Sequence, residues 1–66
     1  MSPQQFAMRL RQTRERRGMT PDALAKNAGV SRAYLSRLEM GRHDPPLSRL
    51  RKLAKALKVP IEKLLK

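Results

Sequence analysis

Nearly all the side chains in this sequence that could do chemistry are basic. Sixteen lysines and arginines stand against five acidic residues, which gives a formal net charge of +11 over 66 residues. There is no cysteine and only one histidine, His43, and the five carboxylates lie on different segments. We therefore expect neither a catalytic site nor a metal or cofactor site, and predict that the chain is not an enzyme. So large a positive charge predicts a polyanionic partner, with nucleic acid as the first candidate.

The positive charge is concentrated on both sides of a nearly balanced central segment. Residues 1–19 carry five arginines and one glutamate, and residues 42–58 carry six basic residues and one aspartate. Residues 20–41 between them hold three basic and two acidic residues. The flanking charges are placed to meet phosphates on either side of the central segment; the alternative is a solvated charged face.

The central segment has the pattern of two short helices joined by a glycine turn. Thr20 and Pro21 suit an N-cap and a first helical position, and Gly29 suits a left-handed turn after a helix ending at about Ala28. Ser31 would cap the next helix, from about Arg32 to Met40. Apolar residues recur at helical spacing on the inner side: Leu24, Ala28, Val30, Leu35 and Leu38. The pattern predicts a helix-turn-helix whose second helix presents polar and basic side chains to a DNA groove.

The segments around this motif are also helical in pattern. Ser2-Pro3-Gln4-Gln5 fits a capping box, so a first helix is expected from about Pro3 to Arg17, with Phe6, Leu10 and Thr13 facing inward. After a stiff loop with two prolines, a fourth helix from about Leu47 to Lys58 has an apolar stripe of Leu47, Leu50, Leu53, Ala54 and Leu57. Pro60 would open a last short helix carrying Ile61, Leu64 and Leu65. We predict an all-α fold, a compact bundle of five short helices forming one domain over residues 1–66.

The hydropathy pattern contains no membrane element. No apolar run approaches the roughly 18 residues of a membrane span, and the first five residues have no apolar signal core. We expect a cytoplasmic protein without a membrane partner.

Several short motifs, taken together, resemble the Cro/CI-type phage repressor family of helix-turn-helix domains, whose fold is that of the lambda repressor. The motifs are Arg14 to Thr20, Leu24-Ala25, Gly29-Val30-Ser31, Leu38 to Arg42, the proline pair, and Leu53 to Leu57 followed by Val59. The resemblance covers the chain from Phe6 to Leu65, and it is specific in combination, since a helix-turn-helix pattern alone often arises by chance. The sequence departs from the family at five positions. Members commonly have glutamine at Pro21, leucine at Thr13, serine at Pro46 and Pro60, and glycine at Lys58.

The resemblance implies a bacterial or phage transcription regulator, most often a repressor, that binds an inverted repeat in double-stranded DNA as a homodimer. Regulation of its own operon is common among such short members. It also implies a base contact from Arg32, at the start of the recognition helix, and a buried ion pair between Arg14 and Glu39. For Arg32 the alternative is a phosphate contact or a free surface charge.

Other side chains are candidate DNA contacts from their type and position. The outer face also carries Ala33, Ser36 and Arg37 beside Arg32, and these three are candidates for base contacts. For Arg37 a phosphate contact is as strongly expected as a base contact. Phosphate contacts are expected from Thr20, Ser31, Tyr34, Arg42 and His43. For Tyr34 we favour a phosphate bond over a place in the core.

Two other functions remain open at this point. Antitoxins share this fold, and such a protein would bind a protein toxin as well as its own promoter. A cationic membrane-active peptide is disfavoured by five separately capped helices and the absence of tryptophan.

The candidate interface residues of a homodimer are Val59, Ile61, Leu64 and Leu65, although each could instead cover the core.

Overall fold

The structure, a computed structural model, describes residues 2–65 and contains five α-helices over that range. They are α1 (Pro3–Arg16), α2 (Pro21–Ala28), α3 (Arg32–Glu39), α4 (Leu47–Leu57) and α5 (Glu62–Leu65). The described residues form no strand, and they occupy a globule of 25 × 23 × 21 Å. The predicted all-α bundle of five helices is confirmed.

The predicted helix ends differ from the observed ends mainly at the last element. Arg17, Met40 and Lys58 are C-caps, so α1, α3 and α4 each end one residue earlier than expected. Pro60 does not open α5, which begins at Glu62. The Pro60 carbonyl accepts a bond from the Lys63 amide at 3.0 Å, which closes a tight turn before the helix.

Three helices begin at the side-chain caps that the sequence predicts. Ser2 and Gln5 form a reciprocal capping box on α1, with bonds of 3.0 and 3.1 Å. The Thr20 hydroxyl oxygen accepts from the Ala23 amide at 3.1 Å, and the Ser31 hydroxyl oxygen accepts from the Tyr34 amide at 3.0 Å. Each cap satisfies an amide with no partner inside the helix, which typically stabilises a helix by about 1 kcal/mol.

Leucines supply most of the large side chains of the core. Eight large side chains contributed by all five helices are fully buried: Phe6, Leu10, Leu24, Leu35, Leu38, Leu53, Leu57 and Leu64. Two residues expected in the core lie elsewhere. Leu47, the first residue of α4, is 56% exposed, so the apolar stripe of this helix is covered only from Leu50 onward. Thr13 is half-buried, and its hydroxyl donates to the Arg9 carbonyl at 2.8 Å, one turn back in α1.

Arg14 and Glu39 form a largely buried ion pair that joins α1 to the end of α3. Arg14 Nε lies 2.7 Å from Glu39 Oε2 and Arg14 Nη2 lies 3.3 Å from Oε1, so the two groups meet through two parallel bonds. Their side chains are only 10% and 13% exposed. Arg14 Nη1 also donates to the Met19 carbonyl at 2.9 Å. The structure thus pairs the two residues that the resemblance implied.

Replacing Arg14 with methionine should destabilise the fold by about 3–5 kcal/mol, because Glu39 would keep its charge in a buried place without a partner. Chemical denaturation of Arg14→Met and of the wild type measures this difference. The control is Arg9→Met, an exposed position of the same helix. Arg11 is less suitable, since its Nη2 lies 3.4 Å from the Glu39 carbonyl. Equal stability of the two variants would contradict the assignment.

Lys58 ends α4 in a left-handed backbone conformation, with φ 57° and ψ 43°. Among the described residues it is the only one with positive φ that is not a glycine. Its carbonyl accepts a bond from Arg17 Nη2 at 2.8 Å, which links the end of α4 to the end of α1. A side chain in this conformation costs roughly 1–2 kcal/mol, whereas glycine adopts it without that steric cost.

We therefore expect Lys58→Gly to stabilise the protein by about 0.5–1 kcal/mol, since the backbone entropy lost by glycine offsets only part of the relieved strain. For a domain of this size the melting temperature should rise by roughly 2–8 °C. The matched control is Lys55→Gly inside α4, which should destabilise by about 1 kcal/mol. Thermal melts in which Lys58→Gly is no more stable than the wild type would rule out strain at this position.

Candidate nucleic-acid interface

The outer face of α3 presents the four side chains that the sequence offers for base contacts. Leu35 and Leu38 are fully buried and fix the inner face of this helix against the core. Arg32, Ala33 and Arg37 are exposed, and Ser36 is half-buried. Residues at these spacings share one side of a helix, so the structure brings the four together on a single surface.

The hydroxyls of Thr20 and Ser31 lie at the starts of α2 and α3. Each oxygen accepts a capping bond, as described above, which leaves the hydroxyl hydrogen free to donate elsewhere. Arg42 and His43 follow α3 in the loop before α4 and are exposed. Their contacts with phosphate remain predictions.

The ring of Tyr34 takes the core role that we had considered less favourable. It is half-buried and packs against the core cluster, and the guanidinium carbon of Arg49 lies 4.4 Å from its centroid. A cation over an aromatic face is favourable, so this contact joins α3 to the start of α4. Tyr34 thus has the packing role that the sequence made the less favoured one, and a phosphate bond from its hydroxyl remains a prediction.

Arg32 has a partner that the sequence did not reveal. Its Nε lies 2.9 Å from Asp22 Oδ1 in the first turn of α2, and the side chains are 51% and 84% exposed. Such exposed pairs contribute about 0.2–1 kcal/mol, whereas a bidentate bond to guanine discriminates by about 1–3 kcal/mol. The pair is therefore weak, and a partner that offers Arg32 a stronger contact can replace Asp22.

Residues 5–65 match the model of a helix-turn-helix domain. The chain belongs to this helix-turn-helix family. The match confirms the resemblance seen in the sequence. Among residues 2–65, none of the five helices has the length and apolar character of a membrane span.

Similar proteins are transcription regulators. The HTH-type transcriptional repressor RghR of Bacillus subtilis is 44% identical over 61 residues, which cover 91% of this chain and 45% of RghR. An HTH-type transcriptional regulator of Archaeoglobus fulgidus is 39% identical over 56 residues, covering 85% of this chain and 80% of that protein. This chain thus spans less than half of RghR, and 46% of a second Bacillus subtilis regulator, RghRB, to which it is 41% identical over 66 residues.

Solved structures of regulators have the same fold. The restriction-modification controller protein C.AhdI from Aeromonas hydrophila is similar with a TM-score of 0.91 and 32% identity, covering 94% of both chains. The clp gene regulator ClgR from C. glutamicum has a TM-score of 0.89 and 32% identity, covering 96% of this chain and 82% of that chain. The similarity extends along nearly the whole bundle.

Proposed function

We propose that the chain is the sequence-specific DNA-binding domain of a transcription regulator and that α3 enters the major groove of double-stranded DNA. The observation that carries the proposal is the outer face of α3, where Arg32, Ser36 and Arg37 stand out from a helix whose inner face is buried. The family and the names of the similar regulators support it, as does the net charge of +11. A DNA-binding function supports the cytoplasmic location that the sequence leads us to expect.

Repression is the mode of regulation that we propose. RghR is a transcriptional repressor, and its similarity to this chain covers the helix-turn-helix. An operator upstream of the gene for this protein would make the repression autoregulatory. The chain spans less than half of RghR, so this support for repression comes from the similarity of the DNA-binding domain alone.

The proposed contacts divide by chemistry into base and phosphate contacts. Arg32 donates two bonds to a guanine and Arg37 contacts a second base, while Ala33 packs on a thymine methyl group and Ser36 bonds a base edge. Arg42 and His43 contact phosphate, together with the hydroxyls at the helix starts. Phosphate contacts supply affinity and base contacts supply sequence discrimination.

Arg32→Ala and Arg42→Ala should therefore differ in kind. Loss of a guanine contact should cost about 1–3 kcal/mol on the preferred site only, whereas loss of a phosphate contact should weaken all sequences and reduce the slope of log affinity against log salt by about 0.9. The site is first selected from a random DNA pool. Fluorescence anisotropy on this site and on a scrambled duplex, at several salt concentrations, then separates the two effects.

Arg37→Ala should behave like Arg32→Ala in the same measurement. If Arg32→Ala weakens both duplexes equally and flattens the salt slope, Arg32 is a phosphate contact. Selection that enriches no sequence over background would overturn sequence-specific binding itself.

The pairing of Asp22 with Arg32 predicts a second effect on specificity. Asp22→Asn should raise affinity for the scrambled duplex up to about fivefold, because it frees the Arg32 guanidinium for any phosphate and removes a nearby negative charge. Affinity for the selected site should rise less. The control is Asp44→Asn, which makes the same change of charge at an exposed position in the loop before α4. If both variants gain the same affinity for the scrambled duplex, the gain comes from net charge and not from release of Arg32.

We further propose that the domain binds an inverted repeat as a homodimer through its exposed leucines. Leu64 is removed from the candidate interface, because it is fully buried in the core of one protomer. Val59 and Ile61 also pack against that core. Leu65 is 43% exposed and lines a small cavity of about 150 Å³ with Leu50, the helical neighbour of the exposed Leu47.

Binding to an inverted repeat with half-sites about 34 Å apart should be tighter than binding to a single half-site, since both recognition helices then reach one face of the DNA. Leu65→Gln should remove this advantage and leave the half-site affinity unchanged. Met8→Gln, at a 56% exposed residue of α1, is the control. Equal affinity of the wild type for half-site and repeat would contradict the dimer.

A further inference from the structure

We propose that a groove between α2 and α4 binds the phosphate backbone of a second DNA duplex, while the first duplex lies on α3. The groove has a volume of about 530 Å³. We call it the lysine groove, because four of its eight lining residues are lysines. The lining residues are Lys26, Asn27, Ala28, Gly29, Lys52, Lys55, Ala56 and Lys58.

The charge of the lysine groove has a single sign. None of the described residues that line it is acidic, and the two ion pairs found among residues 2–65 engage Arg14 and Arg32 and leave the lysines of the groove unpaired. All four lysines are exposed. A cleft lined by one sign of charge focuses its field and concentrates counter-ions, so this groove attracts anions.

The lining favours a phosphate backbone over other anionic partners. Lysine ammonium groups bind phosphate as point charges and do not impose the planar geometry of an arginine fork. The groove has no aromatic side chain on which a base could stack, and the only apolar residues that line it besides a glycine are two alanines. A peptide ligand would need side-chain pockets or a free strand edge for specificity. The phosphates of a DNA backbone, in contrast, can bind through the positive charges of the lysines alone.

The lysine groove lies apart from the proposed recognition surface. Its residues come from the second halves of α2 and α4 and from the turn after α2, and none belongs to α3. The chain passes from α2 to α3 through residues 29–31, but the proposed DNA contacts Arg32, Arg37 and Arg42 are all absent from the lining of the groove. A duplex held on α3 therefore leaves the groove open to a second segment.

Lys58 gives an independent reason to assign a role to this groove. Its left-handed backbone is strained, and the bond that it receives from Arg17 goes to its carbonyl, which a glycine would also provide. The entropy that a lysine saves in place of a glycine offsets only part of this strain, so the fold alone favours glycine here. Strain retained at one position points to a function of the side chain, and the Lys58 side chain lines the groove.

The test measures binding of a second duplex to a protein whose recognition surface is already occupied. The protein is saturated with its unlabelled selected duplex, and a labelled scrambled duplex is then titrated while anisotropy is read at several salt concentrations. The wild type should form a ternary complex. Lys52, Lys55 and Lys58 changed together to glutamine should reduce its affinity at least tenfold and lower the salt slope by about 1–3, since up to three phosphate contacts are lost.

The matched control changes Arg9, Arg16 and Lys63 to glutamine, which removes the same charge from exposed positions outside the groove. It should retain the ternary complex, and the two triple variants should bind the selected duplex within about twofold of each other, since they carry the same net charge. Absence of a ternary complex with the wild type, or an equal loss in the control, overturns the proposal. Displacement of the scrambled duplex by polyglutamate at equal charge concentration also overturns it, because the groove would then accept an acidic chain.

Lys58→Gly separates this proposal from any effect on folding. The variant should melt at a higher temperature than the wild type, while the salt slope for the second duplex falls by about 0.9, the value for one phosphate contact. An unchanged slope would show that Lys58 contributes no contact in the groove. Binding of the selected duplex to α3 is measured separately, so failure of the groove and failure of the recognition helix give different results.

Discussion

The buried pairing of Arg14 with Glu39 is the interaction on which the geometry of the helix-turn-helix depends. One guanidinium contacts the carboxylate at the end of α3 and the Met19 carbonyl just before α2. It therefore ties α1 to both the entry and the exit of the motif. Neither partner can be removed alone without leaving a largely buried charge, so the pair fixes the end of α3 against α1.

The elements that the sequence predicts best are those fixed by local chemistry. The caps at Ser2, Thr20 and Ser31 lie where expected, because a hydroxyl three residues before a free amide satisfies it regardless of the rest of the fold. Gly29 ends α2 in the left-handed conformation that its lack of a side chain permits. Such features need only a few neighbouring residues, and their prediction does not require knowledge of how the helices pack.

The predictions that failed concern residues whose burial or partner depends on how the helices pack against one another. Helical spacing identified the apolar face of α4, but whether a neighbour covers Leu47 depends on where the other helices end. The sequence also left open whether Leu64 covers the core or lies at a dimer interface, and the packing of the helices buries it in the core. Asp22 meets Arg32 because α2 and α3 cross with their first turns close together, and a crossing angle is a tertiary property. The outer face of α3 was predictable because it follows from the period of one helix.

The position of Tyr34 gives this protein a built-in optical reporter. It is the only tyrosine, and the sequence has no tryptophan, so the ultraviolet emission of the whole chain comes almost entirely from this one ring on α3. The ring lies under the Arg49 cation at the junction of α3 and α4, half inside the core and half in solvent. Any rearrangement of that junction changes the surroundings of the fluorophore. The motion of the recognition helix can therefore be followed in the unlabelled, unmodified protein.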